Sequence, residues 1–300
     1  MTSIQESPAA AARVVRPASA RREIIVFLTT VAALMTASTI IGLSQHVDVS
    51  HIEDASPLGQ SVMYGQAFFP LVAAVLARLV ATGTLRRPDW GFRRTSWRSI
   101  GIAWAYLLGT TLLGAGLLWA AGLAGFAGDG IGAMLPLGLT VLVLPYLVLA
   151  IGEDVGWRGL LVARLATIAG PRTVVLISSL AWAVFHWPLM IFLGGTPAGV
   201  PVWWSVTVFT GFTLGLGAVL ANMQLRWGLW PGVVAHAVGN ATMYHVLEPL
   251  TREKSLTGWF SGETGLIPAI VAVLGALLWW RFAPLARTPE GGTAAATRRR

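Results

Sequence analysis

The chain has no cysteine. Disulfides, thiolate nucleophiles and Cys-based metal sites are therefore excluded. Charge is scarce as well: 11% of residues are charged, against about a quarter in a typical soluble domain. There is no Gly-x-Ser-x-Gly elbow, which argues against a serine nucleophile. Neither internal repeats nor two-residue alternation occurs, and the lack of alternation argues against a membrane β-barrel. What is abundant is apolar surface: 55% of the 300 residues are hydrophobic and mean hydropathy is +0.68. One soluble core cannot hide that much apolar surface, so lipid is the expected solvent. The net charge of +8 comes from basic residues scattered between apolar stretches. That scatter points away from nucleic acid.

Runs long enough to cross about 30 Å of hydrocarbon fall near residues 24–45, 61–82, 100–124, 133–152, 173–193, 202–222, 229–247 and 264–283. The expected fold is all-α, a polytopic transmembrane bundle of about eight helices. The fourth run is expected to continue as a more polar helix to about residue 167. No small-residue cleavage site follows the first run, so it reads as a retained helix rather than a signal peptide. On this map nineteen of the 21 basic residues fall at one end of the bundle. Arg252 and Lys254 stand at the other, with Asp48, Glu53, Asp54 and Asp129 in its loops. Such asymmetry predicts a multi-pass cell-membrane protein with both termini in the cytoplasm. Residues 1–22 and 286–300 read as disordered cytoplasmic tails, the second of them basic, flanking a bundle over 23–285. Trp90, Trp97, Trp203, Trp204, Trp227, Trp230, Trp279 and Trp280 stand at expected span ends, as interfacial anchors do.

Ionisable groups inside a span are costly, which makes each one a functional candidate. They concentrate in three places. In Gly152-Glu153-Asp154-Val155-Gly156-Trp157-Arg158, Asp154 and Arg158 are four apart and share a helix face. Glu153 is rotated about 100° away and is free to face the bundle interior. Trp182 and His186 share a face of the fifth span, where Pro188 frees a carbonyl near Val184. His236 and Asn240 project together from the seventh span. Each cluster also has a bland reading: a solvated helix end, a packed histidine, interhelical hydrogen-bonding glue. Together, a carboxylate pair, two histidines and an amide on three helices suit water activation and oxyanion stabilisation. Two His and a Glu equally suit a divalent metal such as zinc, with Glu153, His186 and His236 as ligands. Tyr244 and His245 lie further along, and His245 reads as structural or as part of a rim.

These elements, in this order, resemble the CPBP family of intramembrane proteases, which includes the type II CAAX prenyl endopeptidases and bacterial Abi proteins. The family carries Glu-Glu-x-x-x-Arg, Phe-x-x-x-His and His-x-x-x-Asn/Asp on separate helices. Here they read Glu153-Asp154-x-x-x-Arg158, Trp182-x-x-x-His186 and His236-x-x-x-Asn240, within a signature region of about 133–247. The resemblance implies that Glu153 and His186 activate water and that His236 and Asn240 form the oxyanion site. Asp154, Arg158 and Trp182 take supporting roles. Asp154 stands for the second Glu and Trp182 for Phe, departures that bear on salt-bridge geometry and substrate shape.

The expected activity is hydrolysis of a peptide bond in a membrane-associated peptide or protein, either glutamate-dependent or metal-dependent. Membrane lipid is the other expected partner. The Arg-rich, Lys-poor, Ala-rich composition looks bacterial, so a prenylated substrate is not expected. The site is expected near the cytoplasmic end, opening to the cytoplasm or laterally into that leaflet. The alternatives are a non-catalytic scaffold or immunity protein and a small proton-coupled transporter, which would show inverted repeats.

Overall fold

The structure is a computed structural model that describes residues 17–85 and 89–283. The tail expected over 286–300 and most of that over 1–22 lie outside the described residues. Helix α1 (Pro17–Ser44) comes first. Helix α2 (Pro57–Gly65), capped by the Ser56 hydroxyl, leads through a 3-10 turn into α3 (Phe69–Thr82). Then follow α4 (Trp97–Ala120), the two-residue strand β1 (Gly125–Phe126), α5 (Ile131–Leu139) and α6 (Val143–Asp154). A π-helical stretch (Val155–Val162) and the short α7 (Ala163–Leu165) prolong α6. The chain continues as α8 (Pro171–Phe192), α9 (Val202–Trp227) and α10 (Leu229–Thr242), the last prolonged by π turns to Leu247. Strand β2 (Thr251–Arg252), α11 (Thr257–Phe260) and α12 (Leu266–Phe282) complete it.

This is a polytopic helical bundle. Among the described residues six runs have the length and hydropathy of a membrane span: 18–44, 57–82, 97–120, 131–165, 171–192 and 202–227. The remaining two expected spans are shorter, at 14 residues in α10 and 17 in α12. Helix α10 is buried along most of its length, between α4, α6 and α9. A helix so enclosed meets protein rather than lipid and has no need of a full apolar span. Outward faces are greasy: Leu176, Val184, Leu274, Leu277 and Leu278 are all exposed. A continuous exposed apolar surface of this kind is what lipid contact requires.

The loops segregate to two ends. At one, the Leu229 amide donates to the Gly91 carbonyl at 2.9 Å and the Thr95 hydroxyl to the Trp227 carbonyl at 3.0 Å. Arg78, Arg93, Arg164, Arg226 and Arg281 belong to this end. At the other, the Val49 amide donates to Leu193, and β1 pairs antiparallel with β2. Arg252 and Lys254 sit there. Beneath the arginine-rich end Glu23 is fully buried, held by Arg164 Nε at 2.9 Å and Arg78 Nη1 at 3.1 Å. Of the expected tryptophan anchors, Trp97 and Trp203 are exposed at helix starts. Trp90 is buried, because Gly159 lets the chain approach it: a Cβ at Gly159 would lie 3.0 Å from the Trp90 carbonyl.

Glycines also set the depth of the Glu153 helix. A Cβ at Gly152 would fall 2.6 Å from the Ala67 carbonyl, and one at Gly156 2.5 Å from that of Pro70. Only a bare Cα lets α6 and its π extension lie directly on the start of α3. Gly156→Ala is therefore expected to overpack this crossing and destabilise by about 1–3 kcal/mol. Denaturant titration of the detergent-solubilised protein measures it.

Candidate active site

Glu153 and Asp154 are the last residues of α6, where i→i+4 bonding gives way to the π turns. π turns often mark functional segments. Asp154 is fully buried and accepts from Arg158 Nη1 at 2.7 Å. Its same oxygen lies 3.5 Å from His236 Nδ1. One carboxylate thus pairs with Arg158 and stands beside His236, where the α6 extension meets α10. The nitrogen left toward the cavity is Nε2.

Trp182 is the hub of the cluster. Its indole N–H donates to Glu153 Oε2 at 2.9 Å, and the Arg158 guanidinium carbon sits 3.8 Å from its ring centre. The ring meets His186 and His236 edge-on, with centroids 6.0 and 5.4 Å away. A phenylalanine here would keep the walls but lose the hydrogen bond. The Glu153 Oε1 atom has no hydrogen-bond partner among the described residues.

His186 Nδ1 lies 2.9 Å from the Trp182 carbonyl. A carbonyl only accepts, so Nδ1 carries the proton and Nε2 presents a lone pair. Phe185 and Phe209 hold the ring on two sides, with centroids 5.0 and 5.1 Å away. Glu153, Trp182, His186, His236 and Asn240 all line one cavity of about 800 Å³. Asp154 and Arg158 stand behind its wall. His245 is not in the lining; it meets the Tyr146 hydroxyl at 3.2 Å, a packing role.

The cavity runs the opposite way from the sequence expectation. Its wall reaches Ser50, Gly194–Pro197, Glu253 and Gly262, all at the arginine-poor end. Two facts account for this. The helix carrying Glu153 continues to Leu165, so the carboxylate sits in mid-bundle with the arginine-rich side plugged by buried Trp157, Leu160 and Leu161. His186 lies six residues before the end of α8, about 9 Å of helix, and much further from its start.

Two lining groups close to the site were given no role from the sequence. Tyr244, one turn beyond Asn240, faces the cavity, as does Glu263 in the loop before α12. Glu263 is within electrostatic reach of His186, His236 and Glu153. No local pattern marks it, because its neighbours come from other helices.

The candidate metal ligands Glu153, His186 and His236 do not fit a metal ion. Among the described residues no three His, Asp or Glu side chains converge to hold one.

A family model described as "Type II CAAX prenyl endopeptidase Rce1-like" matches residues 135–242. Residues 135–242 form an Rce1-like domain. No curated protein matches the chain. The matched segment spans α5 to α10 and holds all seven site residues named from the sequence. That segment of the chain is similar to CAAX-type intramembrane proteases, and it lies within a bundle of several helices long and apolar enough to cross a membrane.

Proposed function

We propose that this protein hydrolyses a peptide bond of a membrane-associated peptide or protein, using a water activated by Glu153 and His186. The observation that carries the reading is the convergence of a free Glu153 oxygen, His186 Nε2, His236 and Asn240 on one cavity at membrane depth. Glu153 takes the proton of a water aligned by His186. The water oxygen bonds to the scissile carbonyl carbon, whose oxygen becomes an oxyanion. His236, as an imidazolium whose Nδ1 faces the Asp154 carboxylate, donates through Nε2 to that oxyanion, and the Asn240 amide donates with it. The C–N bond then breaks as the proton on Glu153 passes to the leaving nitrogen, which regenerates the carboxylate. No step requires a metal ion.

The arginine-rich end is assigned to the cytoplasm, with both termini there and α10 and α12 as the seventh and eighth crossings. The cavity then opens to the outer face, so the substrate is reached from that side. Closure of the cytoplasmic side by Trp157 and its neighbours favours this over entry of a cytoplasmic C-terminal tail.

The deciding experiment reconstitutes the wild type and Glu153→Gln in vesicles with a single-span reporter peptide. Full cleavage by the variant would sink the reading. A second expectation concerns Asn240: replacement by Ala should lower kcat by about 10²–10³-fold, as for other oxyanion donors. KM should move little, which steady-state kinetics on the same reporter would reveal.

A further inference from the structure

The charge on the cavity wall is one-sided. Glu153, Glu248, Glu253 and Glu263 line it, and no lysine or arginine does. Acids held in place elsewhere have partners: Glu23 has two arginines, Asp154 has Arg158, and Asp129 has Arg252. None of the four cavity glutamates is in an ion pair among the described residues. A concave, low-dielectric wall of one sign focuses its field and concentrates opposite charge.

Glu263 is placed to use that field. It lies in the loop between α11 and α12, beside Tyr244 and in electrostatic reach of both site histidines and Glu153. Glu248 and Glu253, both exposed, stand further out along the same wall. Carboxylates therefore run from the mouth to the reacting groups. A bare metal ion does not account for them, since no three of these donors converge. A chain-like cation does, because it can touch acids spread along a channel. Burial, with Glu153 nearby, pushes the Glu263 carboxyl above the ordinary range. A cation beside it favours the charged form and is favoured by it in turn.

We propose that Glu263 is a specificity-determining residue and that the cavity selects peptides with a positive charge next to the scissile bond. The charge would be a lysine or arginine side chain or a free amino terminus. Glu253 and Glu248 guide that segment in from the arginine-poor mouth. This rests on the peptidase reading, with the bond itself handled by Glu153 and His186.

The test uses three acyl-anchored peptides with one apolar sequence and Lys, Gln or Glu beside the scissile bond. The full-length protein is reconstituted in neutral-lipid vesicles. Wild type should favour Lys over Gln by about tenfold in kcat/KM, a typical gain from one complementary charge. Glu263→Gln should shrink that ratio several-fold, and Glu263→Lys should reverse the order in favour of the Glu peptide. Glu253→Gln, at the exposed mouth, should weaken the preference less and more strongly at low salt. Equal cleavage of the three peptides by wild type overturns the proposal, as does an unchanged order in Glu263→Lys. Fluorescence anisotropy of the same labelled peptides on Glu153→Gln reads selectivity without turnover. Lys-selective binding with no cleavage by wild type fails the peptidase reading and leaves the charge selectivity standing. Loss of that binding in millimolar magnesium, at constant ionic strength, would assign the carboxylates to a metal ion instead and overturn it.

Discussion

Glu153→Gln is expected to reduce turnover by about 10²–10⁴-fold, the range for removal of a general base. The substitution is nearly isosteric. Glutamine can still accept from the Trp182 indole, now 2.9 Å from Oε2, and so keeps its place in the wall. It cannot take a proton from water. The loss should thus appear in kcat with the fold intact, and circular dichroism with thermal unfolding should separate it from misfolding. His186 does not replace the carboxylate as base. Its Nδ1 proton is held by the Trp182 carbonyl, which fixes the ring to align water through Nε2. Asp154 is no substitute either, since it lies behind the wall and is engaged by Arg158. The carboxylate oxygen that faces the cavity between the two site histidines is the one the variant removes.

The helical fold was legible because lipid exposure writes itself residue by residue. An outward-facing Leu277 and a buried Ala218 are both apolar, so a membrane run shows as a continuous stretch. The three site elements were legible for a related reason. Each is an i,i+4 pair, local enough to read from spacing, and each interrupts a stretch otherwise free of charge. Other features are not local. The cavity's direction depends on how far the helix runs past Glu153, and nothing in the sequence separates a π turn from an α turn over Val155–Val162. Glu263 sits among Ser261, Gly262 and Thr264 and reads as an ordinary loop acid. The interaction of Asp154 with His236 joins residues 82 positions apart. Glu23, next to Arg21 and Arg22, reads as a solvated charge at the foot of the first helix. Its true partners are 55 and 141 residues away.

That last case leads to the largest expected loss of stability. Glu23 has no exposed surface, and Arg164 is buried to within 1%. Their 2.9 Å contact, with Arg78 at 3.1 Å on the other carboxylate oxygen, joins α1, α3 and α7 at the arginine-rich end. Glu23→Ala removes one anion and leaves two guanidinium groups facing each other, one of them fully enclosed. Breaking a buried pair from one side costs about 3–5 kcal/mol, mostly the burden of the charge left behind. The expected result is a lower unfolding midpoint in detergent and a smaller yield of inserted protein. Any molecules that do fold should keep their peptide cleavage, because Glu23 is no part of the cavity lining. Replacing the whole triad with Glu23→Leu, Arg78→Met and Arg164→Met should recover much of the loss, since well-packed apolar groups commonly match a buried ion network in stability. If Glu23→Ala unfolds at the wild-type midpoint, the arginines are hydrated and the network contributes nothing. If the triple variant is no better than the single one, the loss comes from packing around α1 rather than from stranded charge.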